Sequence, residues 1–122
     1  MILADTSVWI DYLRSANPAM ATSLSHGQIV MHPFVVAEIA LGSLRNRRKR
    51  LDELEALLEV KVAQLGEVRH MIEARALYSM GLGLTDAHLL ASCLMTPGVQ
   101  LWTLDLSLQK AATTLGIRLH RT

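Results

Sequence analysis

The sequence is poor in several features that would place a protein in a specialised class. Its single cysteine, Cys93, excludes an internal disulfide and a thiolate-rich zinc site. No apolar run approaches the ~20 residues that cross a bilayer, although 51% of the residues are hydrophobic. The basic and apolar pattern of a secretory signal is also missing. These absences predict a cytoplasmic protein that does not contact a membrane.

Net charge is also small, at +1, so the whole-chain balance neither indicates nor excludes a nucleic-acid partner. Positive charge is concentrated in one run, residues 45–50, with the sequence RNRRKR. One interpretation is that Arg45, Arg47 and Arg48 contact RNA phosphates, in which case they position the RNA rather than read its sequence. The alternative, which we favour at this stage, is a solvated helix start without a ligand.

A length of 122 residues predicts one domain, spanning residues 1–122. Short apolar runs alternate with segments of helical periodicity, which is typical of an α/β fold whose parallel sheet is covered by helices. The predicted strands are residues 1–4, 28–31, 60–65, 99–104 and 117–119. The main predicted helices begin near residue 6 and cover residues 19–25, 33–42, 67–78, 85–94 and 106–115. Thr6 or Ser7 is expected to cap the first helix, and Thr85 the helix that carries Asp86.

Four acids occupy unusual positions in this pattern. Asp5 and Asp105 each come directly after an apolar strand, and Glu38 and Asp86 lie near the start of strongly apolar helices. Ligands of open α/β sheets bind beyond the carboxyl ends of the strands, where the winding order reverses. We therefore expect all four carboxylates to converge there.

Burial of an unpaired carboxylate is costly, so these acids require a partner. Lysine and arginine are scarce around the four positions, which indicates a cation from solution. Oxygen ligands select a hard divalent ion, Mg²⁺ with Mn²⁺ as the alternative, rather than zinc. Such an ion activates water and neutralises charge on a phosphodiester, so no nucleophilic side chain is needed.

Each acid also has a simpler interpretation. Asp5 and Asp105 are each placed to cap the helix that follows. Asp86 in a first helical turn gains from the helix dipole without any further role. Glu38 is compatible with a solvated stripe of its helix, although its neighbours are apolar. These alternatives stay open on the sequence alone.

The histidines and tryptophans have structural interpretations. His88 lies two residues after Asp86 and therefore about 200° around a helix, so it should not share the direction of that acid. His32, before a proline, is expected to pack or to cap. Trp9 and Trp102 are expected in the core rather than stacked on bases.

Four motifs together resemble a known family. They are DTSVWID at residues 5–11, HPFVVAE with LG at residues 32–42, TDAHLLA at residues 85–91 and LWTLD at residues 101–105. In order, spacing and chain length they are similar to the PIN-domain ribonucleases, specifically the VapC toxins of bacterial toxin–antitoxin pairs. The resemblance covers nearly the whole chain.

The resemblance implies a three-layer α/β/α domain with a mainly parallel sheet and Mg²⁺-dependent endoribonuclease activity. It makes Asp5 and Asp86 the principal metal ligands, with Glu38 and Asp105 completing the acidic pocket. Ser7 matches a hydroxyl that relatives use near the metal or its waters. The family usually forms homodimers and is inhibited by an antitoxin whose tail enters the active-site groove. One departure is residues 106–107, Leu-Ser, where relatives commonly carry a basic or acidic residue; it leaves Asp105 intact, but RNA contacts at this position are not implied.

Two other functions remain alternatives. One is another α/β phosphate-transferring enzyme, but a haloacid-dehalogenase-type site needs a second Asp where this chain has Ser7, and the acidic pair and lysine of a receiver domain are not evident. The other is a catalytically silent PIN-like module that keeps the fold and binds a partner. Retention of all four acids speaks against the silent module.

Overall fold

The predicted alternation of strands and helices is present in the computed structural model, which describes residues 1–122. In chain order the elements are β1 Ile2–Ala4, α1 Thr6–Ser15, α2 Pro18–Ser25, β2 Ile29–Val30, α3 Pro33–Ala40, α4 Arg47–Glu55, α5 Leu65–Ala74, α6 Leu84–Met95, β3 Gln100–Trp102 and α7 Leu106–Thr114. None of these helices is long and apolar enough to cross a membrane.

The three strands form a parallel sheet in the order β2-β1-β3, so β1 is central. Leu3 of β1 pairs with Val30 of β2 on one side and with Leu101 of β3 on the other. All three strands are composed of apolar residues apart from Gln100, and β1 is fully buried. Strands of this kind require helices on both faces, which gives the three-layer α/β/α arrangement. The predicted fold class is confirmed.

Two of the predicted strands are not formed as strands. The prediction for residues 60–65 is wrong, because only Glu59 makes a bridge, to Met31, and residues 60–64 continue without a ladder. Helix α5 then begins at Leu65, where the Glu67 carboxylate accepts the backbone N–H of Gln64 at 2.9 Å. Residues 117–119 contribute a single bridge, between Leu119 and Leu101.

Two helix boundaries also differ from prediction. Thr85 is not a cap, because α6 already begins at Leu84 and Gly83 occupies the N-cap position. Helix α5 ends at Ala74 rather than near residue 78, and Ala76 adopts a left-handed conformation with φ of 51°. This turn directs Leu77 into the core, where only 3% of its surface is exposed.

A single cluster of 31 buried apolar residues surrounds the sheet and includes Trp9 and Trp102, as predicted. His32 caps α3 by accepting the backbone N–H of Phe34 on Nδ1 at 3.0 Å. Burial, assisted by the nearby His88, lowers the pKa of His32 to about 4. The His88 ring is buried and lies 4.4 Å from the ring of Phe34. Both histidines are therefore structural in this fold.

Candidate active site

The candidate site lies beyond the carboxyl ends of β1 and β3. These strands are neighbours, and the backbone N–H of Asp5 continues their pairing by donating to the carbonyl of Trp102 at 2.9 Å. From the central strand β1 the chain passes to β2 on one side, and from β2 it crosses over to β3 on the other side of β1. The gap between β1 and β3 is thus the point where the winding order reverses, the usual ligand position in open α/β sheets.

Asp5 is buried, with 4% of its surface exposed, and its carboxylate is held by three donors. Oδ1 accepts the hydroxyl of Ser7 at 2.5 Å and the backbone N–H of Val8 at 3.1 Å. Oδ2 accepts the hydroxyl of Thr103. Asp5 therefore caps α1 itself. The predicted cap by Thr6 or Ser7 is wrong, because the N–H of Val8, the third residue of the helix, donates to the carboxylate of Asp5.

Thr103 was not identified as a site residue from the sequence, although it stands in the LWTLD motif. Its buried hydroxyl donates to Asp5 and accepts the backbone N–H of Asp105 at 3.0 Å. In parallel, the hydroxyl of Ser7 accepts the backbone N–H of Leu104 at 3.1 Å. The hydroxyls of Thr103 and Ser7 thus link the segment after β3 to the segment after β1 by hydrogen bonds. The positions of Asp5 and Asp105 therefore depend on each other.

Glu38 lies on the exposed face of α3, which agrees with the solvated stripe that the sequence left open as its simpler interpretation. The helix turns Val35, Val36 and Ile39 into the core, which leaves Glu38 on the opposite side. Its Oε1 accepts the hydroxyl of Thr6 at 2.5 Å. Thr6 therefore orients Glu38 across the gap between α1 and α3, a function that its sequence position did not reveal.

Asp86 occupies the third position of α6 and accepts the backbone N–H of Gly83 on Oδ2 at 3.0 Å. Burial raises the pKa of Asp86, and the charges of Asp105, Asp5 and Glu38 raise it further, whereas the hydrogen bond from Gly83 lowers it. This effect requires that the other three carboxylates each lie within electrostatic reach of Asp86. The structure thus brings the four predicted acids to one region.

Asp105 caps α7, with Oδ1 accepting the backbone N–H groups of Ser107 at 2.8 Å and Leu108 at 3.2 Å. The simple capping interpretation of Asp5 and Asp105 is thus correct in geometry, and both caps also lie in the acidic site. Capping leaves Oδ2 of Asp105, Oδ1 of Asp86 and Oε2 of Glu38 without a hydrogen bond from the protein. These three oxygens, together with Oδ2 of Asp5, which accepts a single hydrogen bond, are the oxygens available to a cation.

No three histidine, cysteine, aspartate or glutamate side chains are close enough to hold one ion directly. The donor set nevertheless fits Mg²⁺, because this ion keeps several of its waters and is usually bound through one or two carboxylates. The site supplies only hard oxygen donors, and Asp5 is the only one of the four acids that is fully buried.

A cleft of about 620 Å³ begins at Glu38 and extends between α1 and the loop that joins α3 to α4. Arg14, Arg45 and Arg50 line it. Arg47, a candidate RNA contact, instead donates to the carbonyls of Ala40 at 2.5 Å and Gly42 at 3.1 Å.

The arginines of the basic run therefore point to different parts of the structure. Among the three candidate RNA contacts, Arg45 faces the cleft, Arg47 holds the end of α3 and Arg48 is exposed away from the cleft lining. Their roles toward RNA remain predictions.

The comparison with known families gives one that agrees with this architecture, an α/β domain with carboxylates at the switch point of a parallel sheet. The model of the PIN domain family matches residues 2–113. The chain therefore belongs to the PIN-domain family.

Similarity to particular members is also high. The chain is 40% identical over 119 residues to the protein named Ribonuclease VapC32 of Mycobacterium tuberculosis, in strain CDC 1551 / Oshkosh and in strain ATCC 25618 / H37Rv. Each alignment covers 98% of this chain and 96% of the relative. The resemblance to VapC proteins stated from the motifs is confirmed.

Proposed function

We propose that this protein is a divalent-metal-dependent endoribonuclease that acts as the toxin of a toxin–antitoxin pair. The observation that carries the proposal is that the charges of Asp5, Glu38 and Asp105 all act on Asp86 at the β1–β3 switch point. Similarity to Ribonuclease VapC32 along almost the whole chain supports RNA as the substrate class.

In the proposed mechanism, Asp5 and Asp86 are the principal metal ligands, and Glu38 and Asp105 complete the acidic pocket. These residues would hold Mg²⁺, or Mn²⁺ in its place, and a bound ion would supply activation of water and neutralisation of the charge on the phosphodiester. Asp5 is fixed by its three donors, so little reorganisation is needed at that ligand. Ser7 supports the site by orienting Asp5.

Asp86 provides the electrostatic link between cation binding and the acidic pocket. Its raised pKa shows that the ionised form is disfavoured by burial and by the three neighbouring carboxylates. A divalent cation reverses this effect, because it favours the ionised form of every carboxylate near it. The pocket is therefore expected to bind a cation more readily as the pH rises through the pKa of Asp86.

The remaining parts of the proposal concern the setting of the reaction. We propose that residues 1–122 act as one PIN domain in the cytoplasm, that the protein forms a homodimer, and that an antitoxin protein inhibits it. RNA contacts from Arg45 and Arg48 are also part of the proposal, whereas the guanidinium of Arg47, the third predicted contact, is occupied by backbone carbonyls.

Incubation of the purified protein with labelled RNA, with Mg²⁺ and with EDTA, tests the proposal. We expect internal cleavage that requires Mg²⁺, and we expect the Asp5→Asn variant to be inactive yet folded, because an amide oxygen still caps α1. Asp52→Asn, at an exposed acid of α4, is the matched control and should cleave normally. Cleavage that persists in EDTA, or an active Asp5→Asn variant, contradicts the proposal.

One observation favours a second candidate, a catalytically silent PIN-like binding module. No three of the acids are close enough to chelate one ion directly, and a protein that only binds a partner does not need such a group. That candidate predicts RNA or protein binding without cleavage at any Mg²⁺ or Mn²⁺ concentration. The same cleavage assay therefore separates the two functions.

A further inference from the structure

The cleft beside Glu38 has a strongly uneven charge. Three arginines, Arg14 from α1, Arg45 from the loop before α4 and Arg50 from α4, face one carboxylate, Glu38. The chain as a whole is nearly neutral. Positive charge has thus been gathered from two separate segments of the sequence into one concave surface, which concentrates its field.

Two of these arginines have no partner within the protein. The ion pairs of the chain are Arg50 with Glu53, at 3.5 Å, and Arg69 with Glu73, at 2.7 Å. Arg14 and Arg45 take part in no ion pair or side-chain hydrogen bond and are exposed. Folding therefore leaves their guanidinium groups free to bind an anion, whereas Arg47 is occupied by backbone carbonyls.

We propose that this cleft binds the RNA strand on one side of the scissile phosphate, with Arg14 and Arg45 contacting backbone phosphates and Arg50 assisting. The inference rests on the proposed ribonuclease function and names Arg14 and Arg50, which the sequence pattern did not indicate. It also removes Arg47 from the RNA contacts. The cleft volume of about 620 Å³ lies in the usual range for small-ligand sites, so it suits a short segment of a strand rather than a duplex.

Continuity with the acidic site favours RNA over a protein partner. Glu38 lines the cleft and also influences Asp86, so a strand lying in the cleft leads directly to the carboxylates. Most of the lining residues are polar or glycine, unlike the apolar groove that accepts an amphipathic helix. Guanidinium groups recognise phosphate oxygens in a bidentate manner, which gives a strand a defined path.

Fluorescence anisotropy with a short fluorescein-labelled single-stranded RNA of mixed sequence tests this path, at several salt concentrations and in EDTA so that no cleavage occurs. Each lost phosphate contact reduces the slope of log affinity against log salt by about 0.7 on a single strand. We therefore expect the Arg14→Ala/Arg45→Ala variant to have a slope smaller by about 1.4. Both side chains are exposed and unbonded, so an unchanged circular dichroism spectrum and melting temperature are expected.

A charge-matched control is the Arg75→Ala/Arg118→Ala variant, which removes two exposed arginines outside the cleft. It should keep the salt slope of the unaltered protein, and Arg14→Lys/Arg45→Lys should restore most of the slope. Equal losses in both double alanine variants would mean diffuse attraction and would overturn the proposed path.

An unchanged RNA affinity of the Arg14→Ala/Arg45→Ala variant also overturns it. Failure of the function itself has a different signature. In that case the unaltered protein does not cleave RNA in Mg²⁺, whatever the arginine variants do. Absence of any salt-dependent RNA binding by the unaltered protein overturns both proposals.

Discussion

The hydroxyl of Thr103 donates a hydrogen bond to Oδ2 of Asp5, although 98 residues separate them in the chain. The same hydroxyl accepts the backbone N–H of Asp105. Thr103 thereby ties together two acids that follow adjacent parallel strands. Because its contact with Asp5 is buried, the bond is protected from competition with water.

Thr103→Val tests this relationship, because valine keeps the shape of threonine without the hydroxyl. We expect stability to fall by about 1.5–3 kcal/mol, since a buried carboxylate loses a donor. Cleavage should fall as well, because the position of Asp105 relaxes. Urea unfolding and single-turnover cleavage measure the two effects. Thr113→Val is the control, because the Thr113 hydroxyl bonds only a carbonyl of its own helix. A Thr103→Val variant that is as stable and as active as the parent would contradict the proposed role of Thr103 in holding Asp5 and Asp105.

The raised pKa of Asp86 predicts a pH-dependent stability without metal. An acid whose folded pKa lies above its unfolded value opposes folding when ionised, so stability falls as pH rises from the ordinary carboxyl range through the raised pKa. The Asp86→Asn variant should therefore be more stable than the parent near neutral pH, and the difference should vanish below about pH 3. Urea titrations in EDTA across pH measure this.

Added Mg²⁺ provides the complementary readout for Asp86. It should raise the melting temperature of the parent protein, because a ligand that binds only the folded state stabilises it. The Asp86→Asn variant should respond much less, since a principal ligand is missing. A variant that is less stable than the parent at neutral pH in EDTA, or equally responsive to Mg²⁺, contradicts the assignment.

Thr6 and Glu38 are expected to act as a unit. Removing the hydroxyl with Thr6→Val should lower the cleavage rate by about tenfold, because Glu38 loses the donor that orients it. If Thr6 acts through Glu38, Thr6→Val should have little further effect in a Glu38→Gln background. A double-mutant cycle on the single-turnover rate measures the coupling. Additive losses would show that Thr6 has an independent role.

Arg47 is expected to contribute to stability rather than to RNA binding. Its guanidinium closes the carboxyl end of α3 by bonding the carbonyls of Ala40 and Gly42. Arg47→Ala should lower the free energy of unfolding by about 1 kcal/mol. Arg48→Ala, next to it and without such bonds, should change stability far less. Equal stability of the two variants in urea contradicts the capping role.

The sequence determined the fold class because its signals are local. The mostly apolar strands predicted at residues 1–4, 28–31 and 99–104 alternate with segments of helical periodicity, and a chain with this pattern buries its apolar surface as a parallel sheet between helices. The same logic placed Asp5 and Asp105 each at the end of a strand, whereas the structure makes those two strands neighbours. The weak strands at residues 60–65 and 117–119 could not be judged locally, because a strand exists only if a partner edge accepts its hydrogen bonds.

Only the tertiary structure decided how the side chains of the site are connected. The sequence around Thr6, Thr103 and Arg14 gives no sign that these residues meet Glu38, Asp5 and the cleft, since contacts between distant segments depend on how helices and strands pack. The exposure of Glu38 likewise depends on which face of α3 packs against the core. Periodicity and motifs in the sequence therefore predicted the architecture and the four acids. The packing of helices and strands determined which hydroxyl groups hydrogen-bond to these acids and which arginines line the cleft beside them.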